Sequence, residues 1–131
     1  MMTKEELINY WVKSSDMDFE TMEFLFSSKR YNWALFLGHL VIEKLFKSLF
    51  VKGNGKEAEV PKIHNLVILA EKTNIKLSIE QVKMLTTFNS FQLNTRYQDY
   101  KFKFYKKCTK KYTTGMIEQI REVRKWLKTL I

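Results

Sequence analysis

A chain of 131 residues, 45% hydrophobic and 15% aromatic, is long and apolar enough for one domain with a real core. Its formal net charge of +9 favours acidic partners: nucleic acid, a nucleotide, an acidic protein or a membrane surface. The single cysteine, Cys108, excludes an intramolecular disulfide and a cysteine-based zinc site, and no apolar run reaches the roughly twenty residues of a membrane span. The start, MMTKEELI, is charged and lacks the apolar stretch of a signal peptide, so a cytoplasmic location is expected.

Thr3-Lys-Glu-Glu6 reads as a capping box that opens a helix running to about Ser27. Ile8, Val12, Ser15, Phe19, Met22 and Phe26 form its apolar stripe at helical spacing. Asp16 reads as solvated, whereas Asp18 lies nearer the apolar face and is placed to pair with a cation. After the link Ser27-Ser-Lys-Arg30 comes the stretch around which the chain is organised, Tyr31–Lys52. Apolar residues from Trp33 to Val51 cover most of its circumference, which predicts a helix surrounded by others. Its polar exception is a stripe of His39, Glu43 and Lys47, each four apart, with Lys44 beside it. Charges on a central helix cost free energy unless paired or wet, so this stripe is the first candidate site.

Gly53 is the expected left-handed cap of the central helix, and a loop follows through Val60-Pro61. Lys52, Lys56 and the two glycines could also outline an anion nest, though a plain helix stop explains them more simply. His64-Asn65 opens a third helix, Leu66–Lys72, with His64 as a cap or hydrogen-bond post. No nucleophile or carboxylate stands at motif spacing to His64 or His39, which argues against catalysis or metal binding by either. Ser78-Ile-Glu-Gln81 is a second capping box and begins a helix to about Asn94, with Val82, Leu85 and Phe88 expected inside. One face continues as Leu85, Asn89, Gln92 and Arg96, passing from apolar to polar, as a helix lining a groove would.

Arg96–Tyr112 carries seven Lys or Arg and one Asp, hence +6 of the net charge of +9. Arg96, Lys101, Lys103, Lys106, Lys107, Lys110 and Lys111 alternate with Tyr97, Tyr100, Phe102, Phe104, Tyr105 and Tyr112. Cations near a helix start oppose the macrodipole, so fold stability does not ask for them there. Single-stranded nucleic acid is bound by this combination of phosphate contacts and base stacking. A solvated lysine face with buried aromatic anchors is the competing explanation. A last helix runs from about Thr109 to Lys128 or beyond, with Tyr112, Met116, Ile120, Val123, Leu127 and Leu130 as its core stripe. The pattern as a whole predicts an all-α, up-and-down antiparallel bundle of four to five helices, with no strand, repeat or low-complexity segment.

Several features recur in a known order: Trp11 with Asp18, Trp33-Ala-Leu-Phe36 leading to Glu43-Lys44-x-x-Lys47, Ile63-His64-Asn65-Leu66, Asn94-Thr95-Arg96-Tyr97, and Trp126-Leu127. Over nearly the whole chain this set resembles the HEPN domain (higher eukaryotes and prokaryotes nucleotide-binding). The resemblance implies a helical bundle, often a homodimer. Such domains are commonly encoded beside, or fused to, a minimal nucleotidyltransferase, and act in toxin–antitoxin or defence systems. Many HEPN proteins are metal-independent ribonucleases with an Arg-x(4–6)-His motif. Here eight residues separate Arg30 from His39 and no His follows Arg96. The chain looks like a branch without that motif, which carries an Arg-Tyr-Pro-Asp-like turn, and Gln98 stands where the Pro is usual.

Three functions stay open on the sequence. A noncatalytic module would bind nucleotide or RNA in a groove between the second and fourth helices, lined by Glu43, Lys44, Lys47, Asn89, Arg96, Tyr97 and Tyr100 and flanked by the lysine patch. A ribonuclease would use a set such as Arg96, Tyr97, Tyr100 or His64. A dimeric interaction subunit would dock a nucleotidyltransferase through its basic face, with Glu43 paired to Arg96 or Lys44 for structural reasons. No metal or cofactor is called for, and no membrane partner.

Overall fold

The computed structural model describes residues 1–131, which form six helices and no strand: α1 (Lys4–Ser27), α2 (Tyr31–Asn54), α3 (Leu66–Lys72), α4 (Ile79–Arg96), α5 (Lys103–Lys107) and α6 (Lys110–Leu130). Both capping boxes are present. The Thr3 and Ser78 hydroxyls accept from the backbone of Glu6 and Gln81, whose side chains accept from Thr3 and Ser78 in return. Thr109 caps α6 in the same way, accepting from the Tyr112 N–H.

Helix α2 is the axis. Fourteen of its 24 residues are buried, so it contacts neighbours on every side, with α1, α6, α4 and α3 arranged around it. The core is built from Met22 of α1, Leu35, Ile42, Leu45 and Phe46 of α2, Leu66 and Leu69 of α3, Leu85, Phe88 and Phe91 of α4, and Ile117, Ile120 and Leu127 of α6. Burial of this apolar surface is the main force holding the bundle. Gly38 sets how closely α6 approaches, because a Cβ there would run into Ile120 Cδ1 and meet Met22 Sδ at 3.3 Å.

Polar ties fix the register. The Ser15 hydroxyl donates to the Val41 carbonyl at 2.8 Å, joining α1 to α2 inside the core. The Thr95 hydroxyl donates to the Asn32 carbonyl at 3.1 Å, which places the end of α4 beside the start of α2. On the outside, Arg121 forms a two-pronged pair with Glu23, and Arg124 and Lys128 both reach Asp16. Asp16 is therefore an ion-pair centre rather than a bystander. Burial raises its carboxyl, but the hydrogen bonds and charges of Lys128 and Arg124 outweigh that and leave it below the ordinary value. Asp18 pairs with Lys44 at 2.6 Å, as its position near the apolar face suggested.

Other expectations need correction. The central helix runs to Asn54, two residues past Lys52, and the left-handed glycine is Gly55 (φ 83°) rather than Gly53, because the Gly55 N–H still closes a helical bond to Val51. Val82 is exposed, since α4 turns Leu85 and Phe88 inward instead. On α6 the buried line starts at Thr113 and Ile117, with Tyr112 and Met116 half-buried beside it and Leu130 exposed. The short α5 lies inside the segment read only as basic and aromatic.

Candidate nucleic-acid interface

Two polar clusters stand apart in this frame. The first grows from the α2 stripe. Glu43 is 4% exposed, and its two oxygens are fully engaged: Oε1 accepts from His64 Nδ1 at 2.8 Å and Oε2 from Lys47 Nζ at 3.1 Å. Lys47 also lies over the Trp11 ring, 5.4 Å from its centre. His39 is buried, and its Nε2–H donates to the His64 carbonyl at 2.8 Å, leaving Nδ1 3.8 Å from Glu43. Burial lowers the pKa of His39, with the Glu43 charge opposing in part, so the ring is held neutral. Asn89 accepts from the Leu66 N–H at 2.9 Å and donates to Asn65 at 3.1 Å, while Asn65 caps α3. This cluster clips the loop before α3 onto α2 and α4.

The structure does not bring Arg96 into that cluster. Arg96 follows Thr95, which sits at Asn32, and Glu43 is eleven residues further along α2, roughly 16 Å at 1.5 Å per residue. Glu43 and Lys47 pair with each other and Asn89 bonds Leu66 and Asn65, so Arg96 shares no hydrogen bond or ion pair with the three residues expected to line a groove with it. Neither expected partner of Glu43 is used: Lys44 goes to Asp18, and Arg96 is exposed and rests against its neighbour Tyr97. The reading of His64 also changes. The sequence showed no carboxylate near it, yet Glu43, 21 positions earlier, bonds it. His39, His64 and Glu43 meet, and still no group of three or more His, Cys, Asp or Glu is disposed to hold a metal ion.

The second cluster occupies the end of the bundle where the α1–α2 turn meets the α4–α6 connection. One cleft of about 440 Å³ is lined by Lys29, Arg30, Asn32, Trp33, Gln98, Phe102, Tyr105 and Lys106. A second, of about 290 Å³, is lined by Ser90, Asn94, Tyr97, Gln98, Asp99, Phe102, Lys103, Phe104, Tyr105 and Lys107. Their sizes are at or just below the lower range of ligand sites. Five cations and one carboxylate line the two together, and the carboxylate, Asp99, accepts from the Lys103 N–H at 3.0 Å. Trp33, Tyr97, Phe102 and Tyr105 are all more than 40% exposed, so aromatic faces stand open beside the cations. Cys108 closes the base beneath a third recess, and burial pushes its thiol up to about 11 against the pull of Lys107, so it is no nucleophile near neutral pH.

Of the residues singled out in the sequence, Tyr97, Lys103, Lys106 and Lys107 line these clefts. Arg96, Tyr100, Lys101, Lys110 and Lys111 are exposed around them in sequence without lining them, with Tyr100 84% exposed. Phe102 and Tyr105, read among the aromatics of the basic segment, line both clefts, whereas Lys29, Arg30 and Trp33 were missed as site residues. Trp33 was counted into the apolar helix although it is 43% exposed, and its place one turn after Arg30 was the available signal.

Similarity to known proteins agrees with the sequence. The family model described as HEPN domain matches residues 8–130. No curated protein and no solved structure is significantly similar to the chain. No helix is long and apolar enough to cross a membrane.

Proposed function

The chain belongs to the HEPN domain family, a nucleotide- or RNA-related module, and from that premise we propose that it binds nucleotide or RNA without cleaving it, in the clefts at the α1–α2 end. The observation carrying this reading is the five-to-one excess of cations over carboxylates in two adjoining clefts that also expose aromatic faces. Cations without partners at the start of α5 and α6 cost stability, which a phosphate-bearing ligand offsets. The Glu43 stripe, by contrast, is buried and spends its carboxylate on Lys47 and His64. In the setting that the resemblance implies, the module is a homodimer working with a minimal nucleotidyltransferase in toxin–antitoxin or defence systems.

The test is a titration of labelled single-stranded RNA across salt. Binding should weaken steeply with salt, and each cleft lysine changed to Gln (Lys29, Lys106 or Lys107) should reduce the log–log slope by about 0.7. No binding at low salt removes the proposal.

A second reading, a metal-independent ribonuclease, has one observation in its favour. His64 is half-exposed and its Nδ1–H donates to buried Glu43, which leaves Nε2 as the ring nitrogen that could act as a base. Cleavage by purified protein that vanishes in His64→Ala would replace the binding module with this enzyme; intact RNA leaves the module standing.

A further inference from the structure

Phe102 is a bulky residue in the left-handed region, at φ 54° and ψ 42°. An L-residue with a large side chain avoids that conformation, and it persists only where surroundings impose it. They do so here: the Phe102 N–H donates to the Asp99 carbonyl at 3.1 Å, its own carbonyl accepts from Lys106 at 3.0 Å, and Asp99 Oδ1 accepts from Lys103 at 3.0 Å. Glycine would adopt this backbone without strain, yet the chain places an aromatic there. The ring is not used to fill the core, because Phe102 is 49% exposed. It instead belongs to the walls of both clefts, which share only Gln98, Phe102 and Tyr105. Each side has its own cations, Lys29, Arg30 and Lys106 on one and Lys103 and Lys107 on the other.

We infer that Phe102 is a wedge that separates two successive bases of a single-stranded nucleic acid, one base seated in each cleft and the phosphates held by the flanking lysines. This rests on the reading of the basic end as the nucleic-acid site. Stacking on an aromatic needs a base free of its partner, so the wedge selects single strands over duplex. It explains why two clefts adjoin and why a strained phenylalanine divides them. Asp99 is the positioning residue, since it ties both ends of the turn that presents the ring.

The experiment compares wild type, Phe102→Gly and Phe102→Leu in binding to labelled oligomers of about ten nucleotides, a length that such sites commonly span. The oligomers are single-stranded RNA, single-stranded DNA, an RNA duplex, and a chain of the same length without bases. Glycine relieves the backbone and removes the ring, while leucine keeps an apolar side chain that cannot stack. Both variants should bind single strands about tenfold more weakly, the order expected for one lost base stack, and should bind the base-free chain as wild type does. The arm with the larger loss identifies RNA or DNA as the natural strand. Equal binding of single strands by wild type and both variants overturns the wedge and leaves the binding module intact. Duplex bound as tightly as single strand by wild type also overturns the wedge. Failure of wild type to bind any of the oligomers at low salt overturns both readings together.

Discussion

Glu43 shows how a charge survives at the centre of a bundle. Its carboxylate is almost fully out of water and meets Lys47, His64 and, at longer range, His39. Such a pair adds little compared with apolar packing, but breaking it leaves the partner charge stranded. Glu43→Ala should therefore cost about 3–5 kcal/mol in urea denaturation, whereas Glu43→Leu combined with Lys47→Leu should cost less than the sum of the single changes. A loss under about 1 kcal/mol for Glu43→Ala would show that the cluster does not hold the loop before α3. His39 adds a pH dependence. Its pKa is lowered in the fold, mainly by burial, with Glu43, His64 and Asn89 around it. Below its ordinary value of 6.5 the unfolded chain takes up a proton that the folded chain refuses, so this contribution to stability is complete above pH 6.5 and falls as pH drops beneath it. Asp16 behaves oppositely in origin but alike in direction: its lowered carboxyl stabilises above 3.8 and that stabilisation disappears on stronger acidification. Thermal melts from pH 7.5 to 5 should show the first effect, and His39→Gln should flatten it.

At the scale of elements, what could be read was what is encoded locally. A capping box needs four consecutive residues, and both were visible, as were the limits of α3. That Asp18 would meet a cation followed from its place near the apolar face, but its partner Lys44 had been expected beside Glu43. On α6, Ile120, Val123 and Leu127 were read correctly, but the first turns differ, where Thr113 and Ile117 are buried with Tyr112 and Met116 beside them. How closely α6 approaches is set by the space that Gly38 leaves for Ile120. That space depends on packing between helices about eighty residues apart and leaves no local trace. Gly38→Leu should accordingly destabilise the fold by about 1–3 kcal/mol or more through overpacking, measured by denaturation. A neutral result would mean that α6 can move outward freely. The clefts were hidden for a related reason. They form only because Thr95 and Asn32 bring the end of α4 to the start of α2, and because Phe102 adopts a conformation that its identity argues against. The basic, aromatic character of the segment was legible; the position of the turn against Lys29 and Arg30 was not.

On the whole molecule, the proposed homodimer has a face available that is separate from the cationic end. Tyr10, Met17 and Phe24 recur every seven residues along the outer side of α1 and are 50%, 58% and 68% exposed. Apolar residues at this spacing form a narrow seam suited to a second helix. Two copies of α1 packed antiparallel about a dyad near Met17 would set Tyr10 against Phe24 of the other copy. Lys13 would then lie beside the other copy's Glu20, making the seam self-complementary in charge as well, which a twofold interface requires. Met17 is twelve residues before Lys29, roughly 18 Å along the helix, so the seam and the clefts can be disrupted separately. Wild type should scatter light as a dimer at micromolar concentration, and Met17→Glu as a monomer that still binds RNA. Lys13→Glu should weaken the dimer by setting like charges together, and Lys13→Glu with Glu20→Lys should restore it, because the same two charges are then exchanged across the dyad. A monomeric wild type, or a dimer untouched by Met17→Glu, would dismiss the α1 seam without bearing on the clefts. Loss of RNA binding together with the dimer would instead mean that the ligand spans two copies, and that the cationic end of one chain is only half of the site.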